Sequence, residues 1–146
     1  MRIAFIALLL VFSACSTYSE DDLGDFDKKI GAWLVQRQLD FKKTESGLYF
    51  NFLEEGQGVK VKYTDSVKVR FKGELLSGKV FEEEKHPMTF AVKDVIVGWK
   101  EILLMSKKNA KVEIIVPPQL GYGGHELDKI PQNAILFYEI EIVDIK

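Results

Sequence analysis

After Ser46-Gly47 the spacing of apolar residues changes from helical to alternating, and this change of period constrains the fold more than any other feature of the chain. Before it, Phe26, Ile30, Trp33, Leu34 and Phe41 fall near helical spacing. That predicts a short amphipathic helix over Asp25 to Asp40, capped by Asp25, with Gly31 costing about 1 kcal/mol relative to alanine. After it, Leu48, Phe50 and Phe52 share one face of a strand ending near Glu54, and Gly56-Gln-Gly58 makes a turn. Ser66 to Glu74 alternates, with Val67, Val69 and Phe71 inward and Lys68, Arg70 and Lys72 outward. Leu76-Ser-Gly-Lys79 reads as a hairpin turn into Val80-Phe81-Glu82, and Met88 to Val92 as a further strand. Asp94 to Met105 is the one helix expected in this region, with Val95, Trp99, Ile102, Leu103 and Met105 toward a sheet and Lys100 and Glu101 away. Val112 to Val116 and Ala134 to Ile145 read as closing strands, separated by a loop rich in Gly and Pro. No internal repeat appears. The pattern is α+β, an antiparallel sheet wrapping a helix.

With 146 residues, 47% hydrophobic and 29% charged, the chain suits one compact domain once its N-terminus is set aside. Arg2 supplies a positive charge, Ile3 to Phe12 is an unbroken apolar run, and Ser13-Ala14 are small residues before Cys15. This is the pattern of a secretory signal sequence, too short for a membrane span of about 20 apolar residues. Cys15 is the only cysteine, so no intramolecular disulfide can form. Phe12-Ser-Ala-Cys15 looks like a lipobox, in which the thiol is lipidated and the preceding peptide removed. Phe12 is less usual at its first position than Leu or Val, and a free thiol in the tail is the alternative. Several acyl chains exceed what stable anchoring requires. Residues 1–14 thus read as a lipoprotein signal peptide, 15–24 as a lipidated tether, 25–45 as a helical extension and 46–146 as the folded domain. The location implied is the cell envelope, lipid-anchored at an outer membrane and either periplasm-facing or surface-exposed. Glu20-Asp21-Asp22 in the tether reads either as a surface-sorting signal or as simple solvation. A net charge of −2, with lysines spread along strands, suggests neither nucleic acid nor an anionic membrane surface as a partner.

Between Val95 and Pro131 the chain reads VIVGW, then PPQLGYGG, then IPQNA. Those residues would supply a floor, a hydroxyl and a wall for a small apolar cleft. With Val69-Arg-Phe-Lys-Gly73 and Gly78-Lys-Val-Phe81 upstream, the series resembles the FKBP family of peptidyl-prolyl cis-trans isomerases from about Ser46 to Lys146. One motif alone is weak, whereas the whole series in the family's order is specific. The resemblance implies an FKBP-like antiparallel half-barrel sheet of five or six strands, wrapped around one short α-helix. The N-terminal helical extension precedes it, and a cleft lies between helix and concave face.

The resemblance also assigns residues. Trp99 matches the family's pocket floor, and Phe81, Val95 and Ile96 match apolar walls. Ile96 also matches a position whose backbone amide meets a ligand carbonyl. Tyr122 matches the tyrosine whose hydroxyl donates to a bound carbonyl. Phe81, Trp99 and Tyr122 are therefore the expected catalytic residues, and Phe71, Glu82, Phe90, Val95, Ile96, Ile130 and Tyr138 the expected substrate-binding ones. Taken singly, each apolar member is better read as ordinary core, and only the joint match reverses that balance. The family usually has a tyrosine at Phe71, an aspartate at Glu82 and an aromatic near Met88, so its Tyr–Asp hydrogen bond is missing here. Leaving the acid without that partner weakens macrolide inhibitor binding first.

Prolyl isomerisation breaks no covalent bond, so the resemblance implies no metal and no cofactor. The imide barrier is about 18–20 kcal/mol, and an apolar slot that strips water from the imide, with a few donors placed for the twisted amide, lowers it. The substrates implied are proline-containing unfolded or exported polypeptides, and assistance to their folding is the function implied. A weakly active FKBP-like chaperone or binding module in an envelope assembly is the alternative, motivated by Phe71, Glu82 and Met88. Other chemistries lack their residues. His86 and His125 are the only histidines, no G-x-S-x-G elbow is present, and Gly121-Tyr-Gly-Gly124 is followed by neither Lys-Ser/Thr nor a helix. Glu82-Glu83-Glu84-Lys85 reads as a solvated loop.

Overall fold

A computed structural model describes residues 18–146. The expected signal peptide, Cys15 and the start of the expected tether lie outside those residues. Helix α1 spans Glu20–Arg37, so it begins before Asp25 and takes in the acids assigned to the tether. The reason is local. Ser19 is the N-cap, the Asp22 amide donates to its Oγ at 3.2 Å, and the Asp22 carboxylate accepts from the Ser19 amide at 2.9 Å. This reciprocal capping box satisfies two otherwise unpaired donors, and Glu20, Asp21 and Asp22 complement the positive end of the helix dipole. The acidic cluster is thus a helix start.

A six-stranded antiparallel sheet follows. Its strands are β1 (Lys42–Lys43), β2 (Tyr49–Glu54), β4 (Ser66–Leu75), β5 (Val80–Ala91), β7 (Lys111–Val116) and β8 (Leu136–Ile145). Their order across the sheet is β1-β2-β7-β8-β4-β5. Strands β3 (Gln57–Lys60) and β6 (Lys107–Lys108) pair separately, so Gln57 and Gly58 belong to a short strand as well as to the expected turn. Val67, Val69, Phe71 and Gly73 of β4 are buried in strict alternation, as their spacing predicts.

Helix α2 (Val97–Met105) buries Trp99, Ile102 and Leu103 against one face of this sheet, where Ile114, Val116, Leu136, Tyr138 and Ile140 point. Gly98 lets it come close, because a Cβ there would sit 2.8 Å from Val116 Cγ1. The opposite face is covered too. Phe26, Ile30 and Leu34 of α1 pack on Tyr49, Ile115 and Phe137, the residues that alternate outward from the first core. Trp33 adds a fastening, its indole N–H donating to the Leu76 carbonyl at 2.9 Å across the β4–β5 turn. Among the described residues no helix is long and apolar enough to cross a membrane.

Two further expectations are corrected. Glu82-Glu83-Glu84-Lys85 is not a loop but part of β5, which runs unbroken to Ala91. β5 is an edge strand, and its register shifts between the Val69↔Met88 and Phe71↔Glu84 pairs. Charges and Pro87 on such an edge discourage pairing with another chain, and they also mimic a loop in sequence. The helix expected from Asp94 begins only at Val97; a single 3₁₀ turn (Val92–Asp94) comes first, and Val95 and Ile96 are extended.

Candidate active site

Where α2 begins, its first turn and the sheet enclose a cleft of about 290 Å³ lined by Phe71, Glu82, Phe90, Asp94, Val95, Ile96, Trp99, Tyr122 and Tyr138. The extended Val95-Ile96 pair brings the chain to the cleft mouth, and Ile96 is the N-cap of α2 with no side-chain cap. Helix start and cleft mouth therefore coincide, and the Ile96 amide makes no hydrogen bond among the described residues.

The floor is aromatic and dry. Trp99 is 5% exposed, and its ring meets Phe71 at 5.0 Å and 90°, Tyr138 at 5.3 Å and 85°, and Phe90 at 6.0 Å and 75°. These are edge-to-face arrangements, each contributing about 0.5–1.5 kcal/mol beyond burial. The Trp99 indole N–H is buried and has no hydrogen-bond partner among the described residues.

The polar groups sit to one side. Burial, and then the neighbouring Glu82 carboxylate, push the Tyr122 phenol above its ordinary value, although Tyr138 pulls the other way. Tyr138 is raised further, first by burial and then by the neighbouring Tyr122 and Glu82. Both phenols stay protonated at neutral pH, so a donor is present at the cleft. Glu82 is itself held above the ordinary carboxylate range by burial and by Glu84. Phe71 offers Glu82 no hydroxyl, and the phenols that approach it are those of Tyr122 and Tyr138.

Of the residues named from sequence, Phe71, Glu82, Phe90, Val95, Ile96, Trp99, Tyr122 and Tyr138 come together here. Phe81 and Ile130 do not line this cleft. They line an adjoining depression that shares Glu82 and Tyr122 with it. Phe81 still bears on the cleft from behind, meeting Tyr138 edge to face at 5.5 Å. Gly73 permits that contact, since a Cβ there would lie 2.5 Å from Phe81 Cε2 and 2.8 Å from Tyr138 Cε1. Sequence reasoning missed Asp94 as a lining residue, taking it as the start of a helix, and read Tyr138 as lining without using its hydroxyl.

The family model for FKBP-type peptidyl-prolyl cis-trans isomerase matches residues 57–143. The chain belongs to the FKBP-type peptidyl-prolyl cis-trans isomerase family. An FKBP-type isomerase, FkpA, of Buchnera aphidicola subsp. Schizaphis graminum is 38% identical over 136 residues, covering 84% of this chain and 54% of the relative. The crystal structure of FkpA from Escherichia coli superposes with a TM-score of 0.75 at 32% identity, covering 87% of this chain and 62% of that one. A peptidyl-prolyl cis-trans isomerase of Pseudomonas syringae pv. tomato has a TM-score of 0.73 at 25% identity, covering 88% of this chain and 99% of that one. The chain thus spans about half the length of the curated FkpA relative it matches. The matched span includes both sides of the cleft and the whole of α2.

Proposed function

We propose that this chain catalyses cis-trans isomerisation of X-Pro bonds in unfolded polypeptides, with the proline held in the cleft over Trp99. The observation that carries this reading is the union of a dry aromatic floor with a protonated Tyr122 hydroxyl beside it. The floor removes water from the imide carbonyl, which weakens the resonance that holds the bond planar. Tyr122 donates a hydrogen bond to a substrate carbonyl, and the Ile96 amide is a second donor at the mouth. No group needs to gain or lose a proton. Lowering the barrier by about 4 kcal/mol gives roughly a thousandfold acceleration. The assay is cis-trans exchange of a proline-containing peptide with the purified protein. Acceleration that disappears in Trp99→Ala supports the reading, and a wild-type rate equal to buffer rejects it.

The proposed setting is the cell envelope, with the chain anchored by lipid on Cys15; what supports this is the Phe12-Ser-Ala-Cys15 motif after an apolar leader. Detergent-phase partitioning of wild type and Cys15→Ser tests it, and equal partitioning rules the anchor out.

A further inference from the structure

We infer that a groove of about 450 Å³ beside the cleft binds the stretch of polypeptide flanking the proline, and that the N-terminal segment of this chain forms one of its walls. The inference rests on the isomerase reading of the cleft. Tyr122 lines both cavities, so the groove borders the cleft across that side chain. A cleft of about 290 Å³ holds a prolyl ring and its imide, and a chain bound there must leave across the rim.

The two walls differ in origin. One is Tyr18 and Leu23, which precede the matched family region, and the other is the turn from Pro118 to His125. Tyr18 is fixed in place. Its ring meets Phe26 edge to face at 5.1 Å, and its hydroxyl donates to Asn133 Oδ1 at 2.7 Å. Asn133, at φ 55°, sends its own amide to the Gly123 carbonyl at 2.9 Å. The N-terminal wall is therefore bonded to the turn that carries Tyr122.

The turn side suits a peptide. Gly121, Gly123 and Gly124 present bare backbone, so an extended chain can approach closely. The Pro118 carbonyl accepts from both the Gly121 and the Gly123 amides, whereas the Gly121 and Gly124 carbonyls accept no hydrogen bond among the described residues. An unfolded chain brings one amide donor per residue, the complement these carbonyls lack. Among the described residues the lining contains no carboxylate, lysine or arginine, which favours uncharged flanking residues over a charged ligand.

The test compares two substrates on the full chain: a tetrapeptide with one proline, which the cleft alone accommodates, and a reduced unfolded protein whose refolding is limited by proline isomerisation. Leu23→Arg fills the groove from the helix wall. The expected result is a KM for the protein substrate raised about fivefold or more, with kcat for it and both constants for the tetrapeptide unchanged. Gly124→Leu fills the groove from the other wall, where a Cβ has only Asn133 Oδ1 at 4.0 Å, and should give the same split even where Leu23→Arg fails to fold. Equal losses on both substrates, or no loss on either, would overturn the inference. So would a lower sedimenting mass for Leu23→Arg with KM unmoved, which would assign the groove to a second copy of the chain. A wild type that accelerates neither substrate overturns the isomerase reading itself, a separate result.

Discussion

At the scale of single residues, the account divides the cleft into a floor that removes water and a rim that donates. Tyr122→Phe keeps the ring and removes the donor. A neutral hydrogen bond contributes about 0.5–1.5 kcal/mol, so kcat/KM should fall roughly two- to tenfold while the melting temperature stays nearly constant. Paired measurement of rate and thermal midpoint checks this, and a loss of both would make the hydroxyl structural. Gly73→Ala tests the packing behind the rim. A methyl 2.5 Å from Phe81 and 2.8 Å from Tyr138 forces one ring to move, and overpacking of this kind costs about 1–3 kcal/mol. Urea denaturation should show that loss together with reduced activity, because Tyr138 meets Trp99 directly.

At the scale of elements, α1 is the part whose role the sequence displays least. Its apolar residues are at helical spacing and were legible as a helix, yet nothing in them says what they cover. The signal lay elsewhere, in Tyr49, Ile115 and Phe137, apolar residues on the strand faces expected to meet water. Only a second layer explains them. Ile30, 1% exposed, is the centre of that layer, and Ile30→Ala should cost about 2–5 kcal/mol by denaturant titration. Gly31→Ala should instead stabilise by up to about 1 kcal/mol, since a Cβ there meets nothing within 4 Å. Charge fastens the same helix. The Asp27 carboxylate accepts from Lys43 Nζ and the Tyr49 hydroxyl, and these bonds, Lys43 first, lower its pKa below the ordinary carboxylate value. A depressed acid stabilises the fold above the unfolded pKa of about 3.9 and loses that contribution as pH falls through the folded value. Asp27→Asn should therefore be less stable than wild type at pH 7, by a modest amount for so exposed a pair, and the difference should close as pH falls below about 3.9. Stability curves of the two proteins across that window check the sign.

At the scale of the whole molecule, the strands, α2 and most of the cleft were legible because a half-buried sheet writes its alternation directly into sequence. The middle of β5 was not, since an edge strand with a register shift, acids and Pro87 has the composition of a loop there. Phe81 and Ile130 line the depression next to the cleft, and order along the chain does not say which side of Tyr122 a side chain occupies. Of the segment expected as a tether, residues 15–24, the part from Ser19 onward is the cap and first turns of α1. Tyr18 is bonded to the domain through Asn133 and stands three positions after Cys15. Under the lipid anchor proposed at Cys15, three residues reach at most about 11 Å when extended, which would keep Tyr18 near the membrane surface. The central claim is that the cleft over Trp99 isomerises prolyl bonds, and the most direct measurement is the cis-trans exchange rate of one X-Pro peptide with wild type and Trp99→Ala. The account requires acceleration well above buffer by wild type and its loss in the variant, with the variant still folded by circular dichroism. A wild-type rate equal to buffer, or a folded Trp99→Ala as fast as wild type, would contradict it.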